Sequence, residues 1–109
     1  MFDARVLGID PGVARLGLAV VARRGRAARL IWSDVARTPA GMDESRRLVI
    51  LVEAVRVAIG AHEPDAMAIE RVAFNRNVVS AMAVARITGA LMVAAAEAGL
   101  PSRSTRPRR

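Results

Sequence analysis

Apolar positions fall into short strand-like runs over the first third of the chain and take up helical spacing afterwards. Val6, Leu7 and Ile9 predict a buried strand over Arg5 to Asp10, with Gly8 allowing a neighbouring backbone to approach. That strand stops at Asp10-Pro11-Gly12. Leu16 to Val21 is a second apolar run, and the Arg23-Arg24-Gly25-Arg26 turn leads into a third, Arg29 to Val35. Three runs joined by short turns predict an antiparallel meander.

Thr38-Pro39-Ala40-Gly41 breaks the pattern, and Asp43-Glu44 then suits a helix N-terminus, where carboxylates oppose the macrodipole. Leu48, Leu51, Val52, Val55 and Ile59 recur at three- and four-residue steps and place an apolar stripe on one face of the helix that follows, with Gly60 and Pro64 expected to end it. A short strand, Ala66 to Ile69, finishes at Glu70. Residues 78 to 98 form a long Ala-rich helix closed by Gly99 and Pro101; Ala81, Ala85 and Gly89 are four apart, a small-residue stripe that permits close helix packing, and Met82 and Met92 read as core filler. From Ser102 to Arg109 the only apolar residue is Pro107, which predicts a disordered tail. The expected organisation is one α/β domain over 1–101, a mixed sheet of the meander plus a parallel fourth strand with two main helices, and a basic tail over 102–109.

Composition narrows the class further. At 109 residues, 53% hydrophobic and 25% charged, the chain suits one core and excludes disordered and collagen-like polymers. It has no Cys, hence no disulfide framework, thiolate zinc site or thiol nucleophile. There is no basic leader followed by an apolar stretch and a small-residue cleavage site, and the stretch 78–99 holds Arg86 and Glu97, so a cytoplasmic protein without a membrane span is expected. All 17 basic residues are Arg, giving +7 overall, which favours planar, bidentate phosphate contacts. Arg103, Arg106, Arg108 and Arg109 place much of that excess in the tail.

Asp10 and Glu70 each follow an apolar strand directly. If the first helix is a right-handed crossover, those two strands are parallel neighbours ~4.8 Å apart with their carboxyl ends together. Ligands of open α/β sheets favour that end, and paired carboxylates there attract hard cations such as magnesium or manganese, which activate water and stabilise a leaving phosphate oxygen. Read singly, Asp10 opens a turn and Glu70 pairs with an arginine such as Arg71. Spacing alone leaves open whether such a site belongs to a nuclease or to a phosphotransferase.

Val6-Leu7-Gly8-Ile9-Asp10-Pro11-Gly12, then Arg15 and Gly17-Leu18, and later Ala68-Ile69-Glu70-Arg71-Val72 with Phe74-Asn75-Arg76-Asn77, resemble the RuvC family of Holliday-junction resolvases over about Arg5 to Pro101. The resemblance implies an RNase H-like fold and a homodimer built on the helix from Val78. It further implies magnesium-dependent nicking of four-way junction DNA, with Asp10 and Glu70 as metal-binding, catalytic acids. Phe74, Arg76 and Asn77 fall in the family segment that meets DNA, and branch-migration proteins are implied partners. Three departures accompany the match. The family's two further acidic ligands lie on a later helix that the chain does not reach, so a C-terminally shortened member with weak cleavage is expected. Ala73 stands where the family has a stacking aromatic, with Phe74 beside it. Residues 102–109 lack the pattern of the family's fifth strand and carry no lysine.

Two other classes compete with a resolvase. One is a non-catalytic DNA-binding or dimerising relative. The other is an RNase H-like nuclease of the RuvX type, or a nucleotide-binding half-domain like those of sugar kinases, which would share Gly8-Ile9-Asp10 but not the Glu70-Arg71-Val72 block. His62 reads as a helix-end residue and Trp32 as half-buried packing, while Arg23, Arg24, Arg26 and Arg29 form a basic hairpin equally suited to solvent or phosphate.

Overall fold

Alternation along the first strand sets the architecture. In the computed structural model, which describes residues 4–12, 14–70 and 78–105, β1 (Ala4–Pro11) buries Leu7 and Ile9 on one face and turns Gly8 and Asp10 to the other. It pairs antiparallel with β2 (Arg15–Arg24), which buries Leu16, Leu18 and Val20, and β2 pairs antiparallel with β3 (Ala27–Arg37). The expected meander is therefore present. Gly25, at φ 59°, supplies the left-handed residue of the tight β2–β3 turn.

The first helix, α1 (Glu44–His62), is capped by Asp43, whose side chain accepts from the Arg46 N–H, and it buries Leu51, Val55 and Ala58 against the sheet. It passes through Gly60 and ends at His62, between the two residues expected to stop it. Glu63 adopts the left-handed conformation at φ 48° and returns its N–H to the Ile59 carbonyl before Pro64 prevents continuation. Trp32 on β3 stacks on His62 with ring centroids 4.7 Å apart, which fastens the helix end to the meander.

After this crossover, β4 (Ala66–Glu70) lies parallel to β1, with Ile9 opposite Ile69. The second helix, α2 (Val78–Glu97), buries Ile87, Leu91, Ala94 and Ala95 on the same side of the sheet as α1. It ends in a Schellman motif: Gly99, at φ 76°, donates to Ala96 O, and Leu100 N–H reaches back to Ala95 O. The helix is long and apolar enough to cross a bilayer, yet one face packs into the core. Met82 and Met92, expected as core filler, are about half exposed instead, because α1 and the sheet cover only the opposite side of α2.

Residues 102–105 differ from expectation most. Ser102–Thr105 is a fifth strand, β5, parallel to β4, in a sheet of order β3-β2-β1-β4-β5. An apolar pattern is not needed there. The outer edge of β4 presents backbone donors and acceptors that require partners, and the Schellman turn delivers the chain alongside it, where Met67 N–H bonds Pro101 O. Polar side chains suit an edge strand. The disordered tail expected from Ser102 is thus replaced by a strand as far as Thr105; residues 106–109 lie outside those described.

Candidate active site

Both helices pack on one face of the sheet, and among the described residues no helix covers the opposite face. Its centre carries Gly8 on β1, Gly17 and Ala19 on β2, and Ala68 on β4, all too small to fill the space above the backbone. The result is a shallow concavity of about 390 Å³ whose floor is these small residues and whose acidic rim is Asp10 and Glu70. Each acid alternates with a buried neighbour, Ile9 or Ile69, and so faces away from the core. The parallel register places them on adjacent strands one step beyond the Ile9–Ile69 pair, at the carboxyl ends of both. Strand spacing of ~4.8 Å puts their backbones within reach of a common ligand.

Gly17 stands opposite Asp10 in the β1–β2 register, and a Cβ built on it would lie 3.4 Å from Asp10 Cβ. Glycine here leaves the carboxylate room on the β2 side. The turn beside Asp10 closes with Gly12 N–H donating to Arg15 O at 2.8 Å. A side chain at Gly12 would meet that same carbonyl at 2.9 Å, so the turn needs glycine for close approach rather than for a left-handed dihedral.

The same turn is held from α1. Thr38, a buried polar residue, donates from both its backbone N–H and its hydroxyl to Ala14 O, while its Oγ1 accepts from Arg47 Nε at 3.0 Å. Arg47 also donates to Pro39 O. These bonds tie the loop after Asp10 to the first turns of α1. In the sequence Thr38 reads only as part of a break in the pattern; a hydroxyl contact across 24 residues has no periodic signature.

Asp34 also borders the concavity, but it does not join the pair. The register sets it opposite the buried Leu18, which assigns its side chain to the helix-bearing face, and its carboxylate accepts from Val35 N–H. Among the described residues no group of three or more metal-ligating side chains occurs. Phe74, Arg76 and Asn77 lie outside the described residues. The chemistry available among the described residues is a pair of exposed carboxylates at the ends of parallel strands.

α2 shows a second surface. Val78, Met82, Ala85, Gly89, Met92 and Ala96 are exposed at alternating steps of four and three, the spacing of a helix–helix seam. The small-residue stripe of Ala85 and Gly89 faces outward, and nothing lies within 4 Å of a Cβ built on Gly89.

The family model for crossover junction endodeoxyribonuclease RuvC matches residues 6–108. Curated proteins bearing that name include one from Saccharopolyspora erythraea, 45% identical over 98 residues that make up 89% of this chain and 49% of the relative. Another, from Moorella thermoacetica, is 42% identical over 88% of this chain and 58% of the relative. The chain therefore spans about half of these relatives' length. Among solved structures, T. thermophilus RuvC in complex with Holliday junction substrate superposes with a TM-score of 0.89 at 36% identity, covering 95% of this chain and 64% of that one. An Aquifex aeolicus member of the Ppx/GppA family, at 14% identity and a TM-score of 0.61, shares the fold alone.

Proposed function

Because the chain belongs to the RuvC family, we propose that it forms the acid-bearing half of a Holliday-junction resolving endonuclease, acting on four-way DNA junctions in recombination and repair within the cytoplasm. The observation that carries this reading is the pairing of Asp10 and Glu70 at the carboxyl ends of parallel β1 and β4, on the sheet face away from α1 and α2. Two carboxylates fit a hard cation in donor type and charge, and they offer up to four of the roughly six oxygens that magnesium takes. Asp10 and Glu70 would hold such an ion, with manganese as its substitute. When bound, it supplies a Lewis acid toward a phosphate oxygen and a more acidic water.

The chain's own residues prepare that chemistry. Gly8, Gly17, Ala19 and Ala68 keep the floor low enough for a sugar-phosphate backbone to reach both acids. Phe74, Arg76 and Asn77, a few residues beyond Glu70, are assigned to DNA contact, Phe74 by stacking on an unpaired base and Arg76 by bonding phosphate. The exposed seam of α2 suits a second copy of the chain, and a two-fold pair would present two acid sites to two strands of a junction.

Among the described residues, Asp10 and Glu70 are the two acids whose side chains face the concavity. A two-metal displacement needs more ligands to position both the attacking water and the leaving oxygen, so junction binding with weak cleavage is expected. The test is a synthetic four-way junction incubated with purified chain in magnesium. Binding retained in EDTA, with nicking near background, fits this reading. Robust symmetric nicking abolished by Asp10→Asn would overturn the expectation of weak cleavage. The other reading, a non-catalytic junction binder, draws on the same two-acid count and predicts that Asp10→Asn alters neither metal binding nor junction affinity.

A further inference from the structure

The sheet carries a second concavity, at the end away from the acids. It encloses about 340 Å³ between Arg5, Arg24 and Arg29, with Ala22, Ala27 and the bulged Ile31 completing its lining. We propose that this concavity is a phosphate-binding site, separate from the acid pair and independent of the nuclease reading.

Register builds the cluster. Arg5 pairs with Ala22, and Ala22 with Arg29, so the two arginines flank an alanine on one cross-strand row; Arg24 pairs with Ala27 in the next row on the same face. The alanines leave the centre of both rows empty, and longer side chains surround it. The β3 bulge at Ile31, where the β2 register steps from Trp32 to Leu30, lets Arg29 and Trp32 both lie on the helix-bearing face although they are three apart. α1 does not cover this end. It finishes at His62, whose carbonyl accepts from Arg5 Nη1 at 3.0 Å. The Arg5 backbone N–H is held in turn by Asp65 Oδ2 at 2.8 Å, and Asp65 N–H returns to Arg5 O. Arg5 is thus held at its backbone and at one guanidinium nitrogen.

Charge points the same way. No carboxylate is among the described residues lining the concavity, and residues 22–30 contain four arginines and no acid. Asp65, which precedes β4, bonds the Arg5 backbone, and the His62 carbonyl at the α1 C-terminus accepts from its guanidinium. Arg5 and Arg29 line one hollow from opposite ends of a cross-strand row, and planar guanidinium groups suit a tetrahedral oxyanion through paired N–H···O bonds that ammonium groups would not supply. Five residues of β1 separate Arg5 from Asp10, ~17 Å at strand rise, and the two lie on opposite faces of the sheet. One phosphodiester cannot touch both. The phosphate bound here is either a second point on a nucleic-acid backbone or a free phosphate.

The test uses the full chain labelled with ¹⁵N-arginine. Inorganic phosphate is titrated at constant ionic strength against a chloride control, and a linear 12-base-pair duplex is titrated across a salt series. Saturable shifts of the Arg5 and Arg29 Nε–Hε resonances with phosphate but not chloride are expected, weakened at least about threefold by Arg29→Ser. Arg46→Ser, which removes the same charge from an exposed position on α1, should leave them unchanged. If the source is a nucleic-acid backbone, Arg29→Ser also lowers the slope of log K against log salt by about 0.9, one phosphate contact. An unaltered slope with phosphate binding lost assigns the site to free phosphate. Equal shifts in phosphate and chloride, or equal effects of Arg29→Ser and Arg46→Ser, would overturn the proposal.

Discussion

Gly17 opposes Asp10 with no side chain of its own, and its neighbour Leu18 is in the core, so the two sides of one strand serve different ends. Replacing Gly17 by Val adds methyl groups against the Asp10 side chain without touching the core. Gly17→Val should therefore weaken calcium or manganese binding, read by calorimetry, about tenfold or more, the scale seen when a ligand's support is disturbed, with a smaller effect on the unfolding midpoint. Thr38 acts on the same loop from the other side. Thr38→Val keeps the shape but removes the hydroxyl that joins Arg47 to Ala14 O, leaving a part-buried acceptor and the Arg47 Nε–H each with one partner fewer. A loss of about 1–2 kcal/mol in urea unfolding is expected, along with faster amide exchange near Ala14. Asp10 and Glu70 were visible in the sequence because each ends an apolar strand run. Thr38 was not, since a tie between distant loops leaves no periodic trace, and neither was the exclusion of Asp34, which rests on strand parity.

Among the elements, α2 joins the molecule's interior to an exposed apolar surface. Ile87, Leu91, Ala94 and Ala95 face the core, whereas Val78, Met82, Met92 and Val93 stay exposed. Met82→Asp combined with Met92→Asp should shift sedimentation from a dimer to a monomer while leaving the core intact. A monomer in the unaltered chain would remove α2 as an association surface. The helices were readable because three- and four-residue apolar steps persist over several turns, and the Gly99–Pro101 stop matches the observed Schellman end. The inside of α2 was harder to assign. Apolar residues lie all around it, so periodicity alone does not separate the face that meets the sheet from the face that meets solvent. β5 escaped for the opposite reason: Ser102, Arg103 and Ser104 pair through their backbones, and side-chain pattern carries no record of that.

At the scale of the whole molecule, two of the sheet's strand pairings differ greatly in reach. Arg24 and Ala27 close a hairpin across two residues, whereas Val6 meets Ala66 sixty positions away. Loop-closure entropy disfavours the longer connection by about 3 kcal/mol relative to the hairpin, so the meander should collapse first and the parallel pairing should come late on the folding route. Asp10 and Glu70 become neighbours only in that late step. A cation that bridges them has nothing to bridge in the transition state, and interactions missing from the transition state act on escape from the native basin. In stopped-flow experiments, saturating calcium should slow unfolding and leave the refolding limb of the chevron unmoved. The metal would then act as a latch on the finished molecule rather than as a template for making it.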